Sequence, residues 1–273
     1  TFFGKGKIEN IKLKLTEIDI EKCIIIINTI LTPIQQRNLE RSWGTKVLDR
    51  TALILEIFGA RAVTKEGSLQ VELAHISWQK TRLVRSWTHL ERQRGGRGFL
   101  GGPGELQIEL DRRYITSRIK KIKIDLNKIK KTRELQRSKR QKLYPLVSLI
   151  GYTNSGKSTL FNKITGAGEL AKDMLFATLD PKHRKVNISY NNDFILSDTV
   201  GFISELPTEL IESFKATLDE IIYADLIIHV RDISHKDYNS QNTDVLEIIS
   251  GILGFDGKER PENFIDVINK IDK

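Results

Sequence analysis

The stretch Gly151-Tyr152-Thr153-Asn154-Ser155-Gly156-Lys157-Ser158 constrains this 273-residue chain more than any other. The apolar run Leu146–Ile150 precedes it, and a helical pattern over about Lys157–Thr165 follows. Strand, glycine-framed loop and helix in that order turn backbone N–H groups inward and add the positive end of a helix dipole, which together make a cradle for phosphate. From this loop Lys157 reaches the β- and γ-phosphates of a nucleotide, and the Ser158 hydroxyl is a Mg2+ ligand. Thr159, the next residue, is counted with the nucleotide contacts.

Three later segments supply the other contacts that such a site needs. Asp198-Thr199-Val200-Gly201 follows the strand pattern Phe194–Ser197, so Asp198 is the strand-end carboxylate expected to hold Mg2+ through water, and the Gly201 N–H meets the γ-phosphate. Thr178 is the only threonine between Thr165 and Thr199. It is the candidate for a switch threonine that ligates Mg2+ and senses the γ-phosphate; the alternative is a loop threonine of no consequence. Its neighbours Phe176, Ala177, Leu179 and Asp180 are counted with the nucleotide contacts. Asn269-Lys270-Ile271-Asp272 ends the strand pattern Phe264–Ile268. The Asp272 carboxylate accepts two hydrogen bonds from the donor edge of guanine, whereas adenine would leave it unpaired. The expected nucleotide is therefore GTP or GDP, with Lys157, Thr178 and Gly201 as the catalytic group. Where small GTPases carry a water-orienting glutamine, this chain has Phe202, so unassisted hydrolysis should be slow and a partner should complete the site. Asn154 raises a second possibility, a K+ ion beside the phosphates in place of an arginine finger.

Around these motifs the pattern alternates strands and helices. Strands are expected at Leu146–Ile150, Val186–Ser189, Phe194–Ser197, Leu226–Val230 and Phe264–Ile268, and helices at about 157–165, 209–222 and 242–253. That alternation implies an α/β domain over 143–273 with a mostly parallel sheet covered on both faces. Ahead of it, 1–142 reads as an N-terminal domain in two parts. Residues 1–65 form a small α/β subdomain, with a strand at Cys23–Thr29, a helix starting at Pro33, a strand at Val47–Asp49 and a helix over about Thr51–Arg61. Residues 66–142 hold two long helices, Gly67–Gln93 and about Glu105–Lys139, joined by a glycine-rich tip at 95–104. Ile115, Ile119, Ile122, Leu126 and Ile129 follow a heptad seam on the second helix, so the two should pack as an antiparallel hairpin.

Charge identifies a partner class. Between Arg118 and Lys142 there are 12 Lys/Arg against 2 Asp/Glu, a net of +10 in a chain whose total is +9. A block this concentrated points to a polyanion, with a solvated helix face as the plain alternative. Arg92, Arg94, Arg97, Phe99, Lys120, Lys121 and Lys123 are the candidate RNA contacts. A tip with this many glycines exceeds what joining two helices requires, which favours a ligand-contacting loop. Trp78 and Trp87 are read as packing residues before RNA stacking, and the five histidines show no metal spacing. Cys23 is the sole cysteine, which excludes an intrachain disulfide. No apolar run is long enough to span a bilayer. A monomer in the cytoplasm is expected.

Taken with Leu90-Glu91-Arg92-Gln93, Gly101-Gly102-Pro103-Gly104-Glu105 and Asp111-Arg112-Arg113, these motifs resemble the HflX family of GTPases, in the Obg–HflX branch of the translation-factor class. Asp49-Arg50-Thr51, Leu69–Leu73, Phe176–Pro181 and Asp198–Phe202 also look like that family's, so the resemblance covers essentially the whole chain. It implies an α/β subdomain, a helical hairpin and a G domain, binding to the large ribosomal subunit with the tip directed at ribosomal RNA, and a task in ribosome splitting, rescue or biogenesis. Leu106 and Leu110 stand where the family usually has threonine, and Arg231 where it more often has a small or apolar residue. The sequence begins at Thr1 and ends at Lys273, just past the guanine motif, and reads as a piece of something longer, ending before the last strand and helix of the G domain. Two other functions fit the same residues: a nucleotide-driven RNA remodeller, and a non-ribosomal signalling GTPase whose hairpin is a protein-binding coiled coil.

Overall fold

The computed structural model describes residues 3–17, 23–93, 103–141, 143–167, 176, 178–188, 193–204, 218, 220–254 and 261–272, without the side chains of 84–93, 103–108 and 139–141. The tip residues Arg94, Arg97 and Phe99, the side chain of Arg92, Ala177, and most of the helix expected at 209–222 lie outside that description. Backbone contacts divide the chain into two compact units, 1–57 with 75–121, and 58–74 with 122–273. The inner ends of both long helices, 65–74 and 122–141, thus fall in the same unit as residues 143–273.

The first unit begins with α1 (Lys5–Leu15), a helix that the sequence reading did not assign. Strands β1 (Ile24–Ile27) and β2 (Lys46–Asp49) pair in parallel, with α2 (Pro33–Trp43) between them. Helix α2 starts where Pro33 permits it. The Thr32 hydroxyl accepts from the Gln35 N–H at 3.2 Å and the Gln35 side chain returns the bond, which is a capping box. Leu15, Ile27, Leu31, Leu39, Trp43 and Val47 form the core. Asp49 is fully buried and satisfied. It accepts from Ala52 N–H at 2.8 Å at the start of α3 (Arg50–Arg61) and from Arg82 at 2.9 Å. That is a structural account of the Asp49-Arg50-Thr51 string.

Helices α4 (Lys65–Gln93) and α5 (Pro103–Gln141) are the two arms of the hairpin. Each begins slightly before its expected position, α5 at Pro103, whose missing N–H costs nothing in a first turn. Ile122 of the predicted seam is 1% exposed, while Lys120, Lys121 and Lys123 around it face solvent.

The second unit is built on a five-stranded sheet in the order β4-β5-β3-β6-β7, from β3 (Leu146–Ile150), β4 (Lys182–Asn187), β5 (Asp193–Asp198), β6 (Leu226–Asp232) and β7 (Phe264–Asn269). All pairings are parallel except β4 with β5. Strand β4 starts four residues before its expected position, at Lys182-His183-Arg184-Lys185. These polar residues hid an edge strand from any hydrophobic pattern. Helix α6 (Lys157–Thr165) covers one face through Phe161. Helix α7 (Tyr238–Leu253) covers the other through Val245 and Ile249, together with Leu218 and Ile221. Because Phe161 is 1% exposed in that core, Phe161→Ala should destabilise this unit by about 3–5 kcal/mol. Chemical denaturation measures this, and a loss below about 1 kcal/mol would contradict the packing.

Candidate functional site

Every residue of the expected phosphate loop lies at the carboxyl edge of the sheet, between β3 and α6. Gly151 has φ +144°, and a Cβ there would stand 2.3 Å from the Val230 carbonyl oxygen, so only glycine allows β3 and β6 to approach this closely. Asn154 takes φ 63° and Gly156 φ 98°, the left-handed conformations that curl the loop. Buried Ser155 has a hydroxyl with no hydrogen-bond partner among the described residues. Thr159 is exposed one residue beyond the loop.

Lys157 is buried, and its ammonium donates to the Gly151 and Tyr152 carbonyls at 3.1 and 2.7 Å. Burial pushes its pKa down to about 8, with the Asp198 carboxylate opposing the shift. The ammonium is thus held ready by weak carbonyl acceptors that a phosphate oxygen would outcompete.

Ser158, Thr178 and Asp198 converge as the sequence required. Asp198 Oδ2 accepts from Ser158 Oγ at 2.7 Å and from Thr178 Oγ1 at 2.9 Å, and the two hydroxyls are 3.0 Å apart. Asp198 is 1% exposed, and its other oxygen, Oδ1, has no hydrogen-bond partner among the described residues. Burial raises its pKa, against the Ser158 hydrogen bond and the Lys157 charge. Two hydroxyls and a carboxylate whose second oxygen, Oδ1, is buried without a partner among the described residues are hard oxygen donors of the kind that fits a divalent cation of the Mg2+ type. No cluster of three or more His, Cys, Asp or Glu capable of holding a metal occurs among the described residues.

Gly201 passes so close to the loop that a Cβ would stand 2.7 Å from Thr153 Cα and 3.0 Å from Lys157 Nζ. The residues beside it serve the scaffold. The Thr199 hydroxyl donates to the Leu149 carbonyl at 2.7 Å, Val200 is buried, and the Phe202 backbone exchanges hydrogen bonds with Gly151 and Thr153. The Phe202 ring is 3% exposed in the core with Ile150, Leu218 and Ile221. The ring is therefore a core side chain, a placement that the sequence reading did not anticipate. The hydroxyl of Tyr152, a loop residue, accepts from the Ser204 N–H at 3.0 Å and so ties this segment to the loop.

The base motif also braces the loop. Asn269 Nδ2 donates to the Ser155 carbonyl at 2.8 Å, and Lys270 Nζ donates to the Asn154 carbonyl at 2.9 Å. Asp272 is exposed beyond them. Asp232, at the end of β6, holds Lys270 at 2.7 Å. Burial pushes the Asp232 carboxyl up, but hydrogen bonds from Lys270 and Ser234 more than offset it and leave its pKa below the ordinary value. Sequence reasoning missed this role of Asp232, although its place on the carboxyl edge of the strand beside β7 was a usable signal. Two other residues differ from a direct nucleotide contact. The ring of Phe176 and the carboxylate of Asp180 both turn to the segment 58–67, and Leu179 is buried.

A mostly parallel sheet with this loop, this strand-end aspartate and this asparagine–lysine motif defines a phosphate-loop domain of the GTPase class. Three family models match in succession: GTP-binding GTPase N-terminal at residues 1–59, GTP-binding GTPase Middle Region at 61–140, and 50S ribosome-binding GTPase at 146–270. The chain belongs to the HflX family of GTPases. It is 52% identical to GTPase HflX of Magnetococcus marinus over 275 residues, matching 100% of this chain and 62% of that protein. It is 48% identical to GTPase HflX of Escherichia coli, covering 99% of this chain and 62% of the relative. A crystal structure of an SsGBP–GDP complex superposes with a TM-score of 0.52 at 29% identity, over 99% of this chain and 71% of the other. The chain therefore spans about three-fifths of the length of the curated relatives it matches, 62% in both cases.

A Cβ at Gly156 would lie 2.1 Å from Asn269 Nδ2. Gly156→Ala should push Asn269 off the Ser155 carbonyl and lower GDP affinity about tenfold or more. Titration calorimetry reads the loss, and unchanged affinity would show that the Asn269 brace is dispensable.

Proposed function

We propose that this protein binds GTP and GDP with Mg2+ and hydrolyses GTP, slowly alone and faster on the large ribosomal subunit. The convergence of Ser158, Thr178 and Asp198 beside a buried lysine carries the nucleotide part of this reading. Ser158 and Thr178 would hold Mg2+ through their hydroxyls, and Asp198 through water. Magnesium bound there neutralises charge on the β- and γ-phosphate oxygens. Lys157 adds a second cation to the same phosphates, the N–H groups of the loop and of Gly201 orient them, and Asp272 selects guanine. Tyr152, Thr153, Asn154 and Thr159 complete the cradle, while Phe176, Leu179 and Asp180 support Thr178, and Thr199 and Val200 support Asp198 and Gly201. Asn154 is the residue through which K+ would act, and equal turnover in K+ and Na+ buffers would remove it from the mechanism.

The ribosomal part rests on different residues. A family described as a 50S ribosome-binding GTPase matches 146–270, and α5 exposes Lys120, Lys121 and Lys123 within the basic block. With Phe202 in the core, no side chain at that position can align the attacking water, so the missing group is assigned to the partner. We assign the hairpin, with Arg92, Arg94, Arg97 and Phe99 toward its tip, to ribosomal RNA, and the protein to the cytoplasm, in ribosome splitting, rescue or biogenesis. No helix among the described residues is long and apolar enough to cross a membrane.

Purified large subunits should raise GTP turnover at least about tenfold, and Lys120→Glu/Lys121→Glu/Lys123→Glu should abolish most of that rise with a reduced salt dependence. Equal stimulation of wild type and triple variant would remove α5 from the interface.

A further inference from the structure

The segment that carries Thr178 is fastened at both ends to residues far from the nucleotide motifs in sequence, all within the second compact unit. At one end Phe176 adopts φ 55°, uncommon for a bulky residue, and its N–H donates to Thr153 Oγ1 at 3.1 Å. Its ring lies against Phe58 near the end of α3, with centroids 4.4 Å apart, and the two are 2% and 1% exposed. At the other end the Asp180 carboxylate accepts from the Thr64 N–H at 3.1 Å and from the Thr64 hydroxyl.

Thr64 is the residue immediately before α4, and its Oγ1 accepts from the Gly67 N–H at 2.9 Å. The Asp180 carboxylate thus rests on the open first turn of a 29-residue helix, where unsatisfied N–H groups and the helix dipole favour a negative charge. Gly67 keeps that turn open, since a Cβ would stand 2.5 Å from Asp180 Oδ1. The turn itself is fixed from α5. Glu66 accepts from Arg133 at 2.8 Å, and Arg133 lies 3.7 Å from the buried Glu220 carboxylate.

Thr178 sits midway between these two anchors, with its hydroxyl on Asp198. Ordering a switch segment is an entropic cost that a ligand must otherwise meet on binding, and a segment fastened at both ends has met it beforehand. We propose that Thr64, Gly67 and Asp180 form a positioning latch that holds Thr178 ready for the γ-phosphate, so that the first turn of α4 sets the preference for GTP over GDP. This rests on the reading of Thr178 as a magnesium and γ-phosphate contact given above. GDP has no γ-phosphate and places no demand on Thr178, so the latch acts on one nucleotide and spares the other.

The test measures the affinity of the intact protein for GDP and for a non-hydrolysable GTP analogue in Mg2+, across Thr64→Val, Thr64→Ser, Gly67→Ala, Asp180→Asn and Thr178→Ala. Thr64→Val, Gly67→Ala and Asp180→Asn should each weaken the analogue by about fivefold or more while GDP binds as before, and Thr64→Ser should retain wild-type discrimination. Equal losses for GDP and analogue would make these residues structural and overturn the latch. Wild-type analogue binding in Thr64→Val and Asp180→Asn, with Thr178→Ala impaired, would also overturn it while leaving the role of Thr178 intact. If Thr178→Ala binds both nucleotides as wild type does, the reading of Thr178 fails and the latch falls with it.

Discussion

A carboxylate removed from water must find donors or a cation for its oxygens, and Asp198 has found them for one oxygen only. Oδ2 takes the hydroxyls of Ser158 and Thr178, while Oδ1 is buried without a hydrogen-bond partner among the described residues. An unmet buried acceptor of this kind costs about 1–3 kcal/mol. The surroundings impose that cost by design. Strand β5 ends at Asp198 beside β3, α6 presents Ser158 from its first turn, and the 176–180 segment brings Thr178. Gly201, three residues further on, lies against Thr153 and Lys157. Helix α6, the Thr178 segment and the sheet edge therefore meet at one carboxylate, whose remaining oxygen a divalent cation would satisfy.

The same geometry separates positioning from chemistry. Thr199, Val200 and Phe202 hold the strand end and the core, and under the proposed function backbone N–H groups and Lys157 meet phosphate. Around the guanine motif the division recurs. Asn269 and Lys270 brace the loop, Asp232 holds Lys270, and Asp272 is exposed beyond them. A site with these binding groups and with Phe202 in the core is consistent with the proposal that hydrolysis depends on a partner.

Much of this was legible in the sequence because its signals are local. A strand, a glycine-framed loop and a helix occupy consecutive residues, and the helix expected at about 157–165 is found at Lys157–Thr165. Asp198 and Asn269 could be placed because strand ends converge on one edge of a parallel sheet, and Thr178 because it is the only threonine between Thr165 and Thr199. What the sequence hid is long-range and polar. Thr64 meets Asp180 across 116 positions, Arg82 meets Asp49 across 33, and Glu220 is buried among arginines of α5; none has a periodic signature. Phe202 was legible as a missing glutamine but not as a core residue, since burial depends on Leu218 and Ile221 packing over it. The start of β4 was lost because an edge strand with exposed lysines lacks apolar alternation.

The central claim is that Asp198 organises a magnesium site with Ser158 and Thr178. Its most direct test is the Mg2+ dependence of GTP-analogue binding in wild type and Asp198→Asn, with circular dichroism confirming that both are folded. Affinity should rise with Mg2+ in the wild type by about tenfold or more and stay flat in the variant. An equal rise in both proteins would contradict the account.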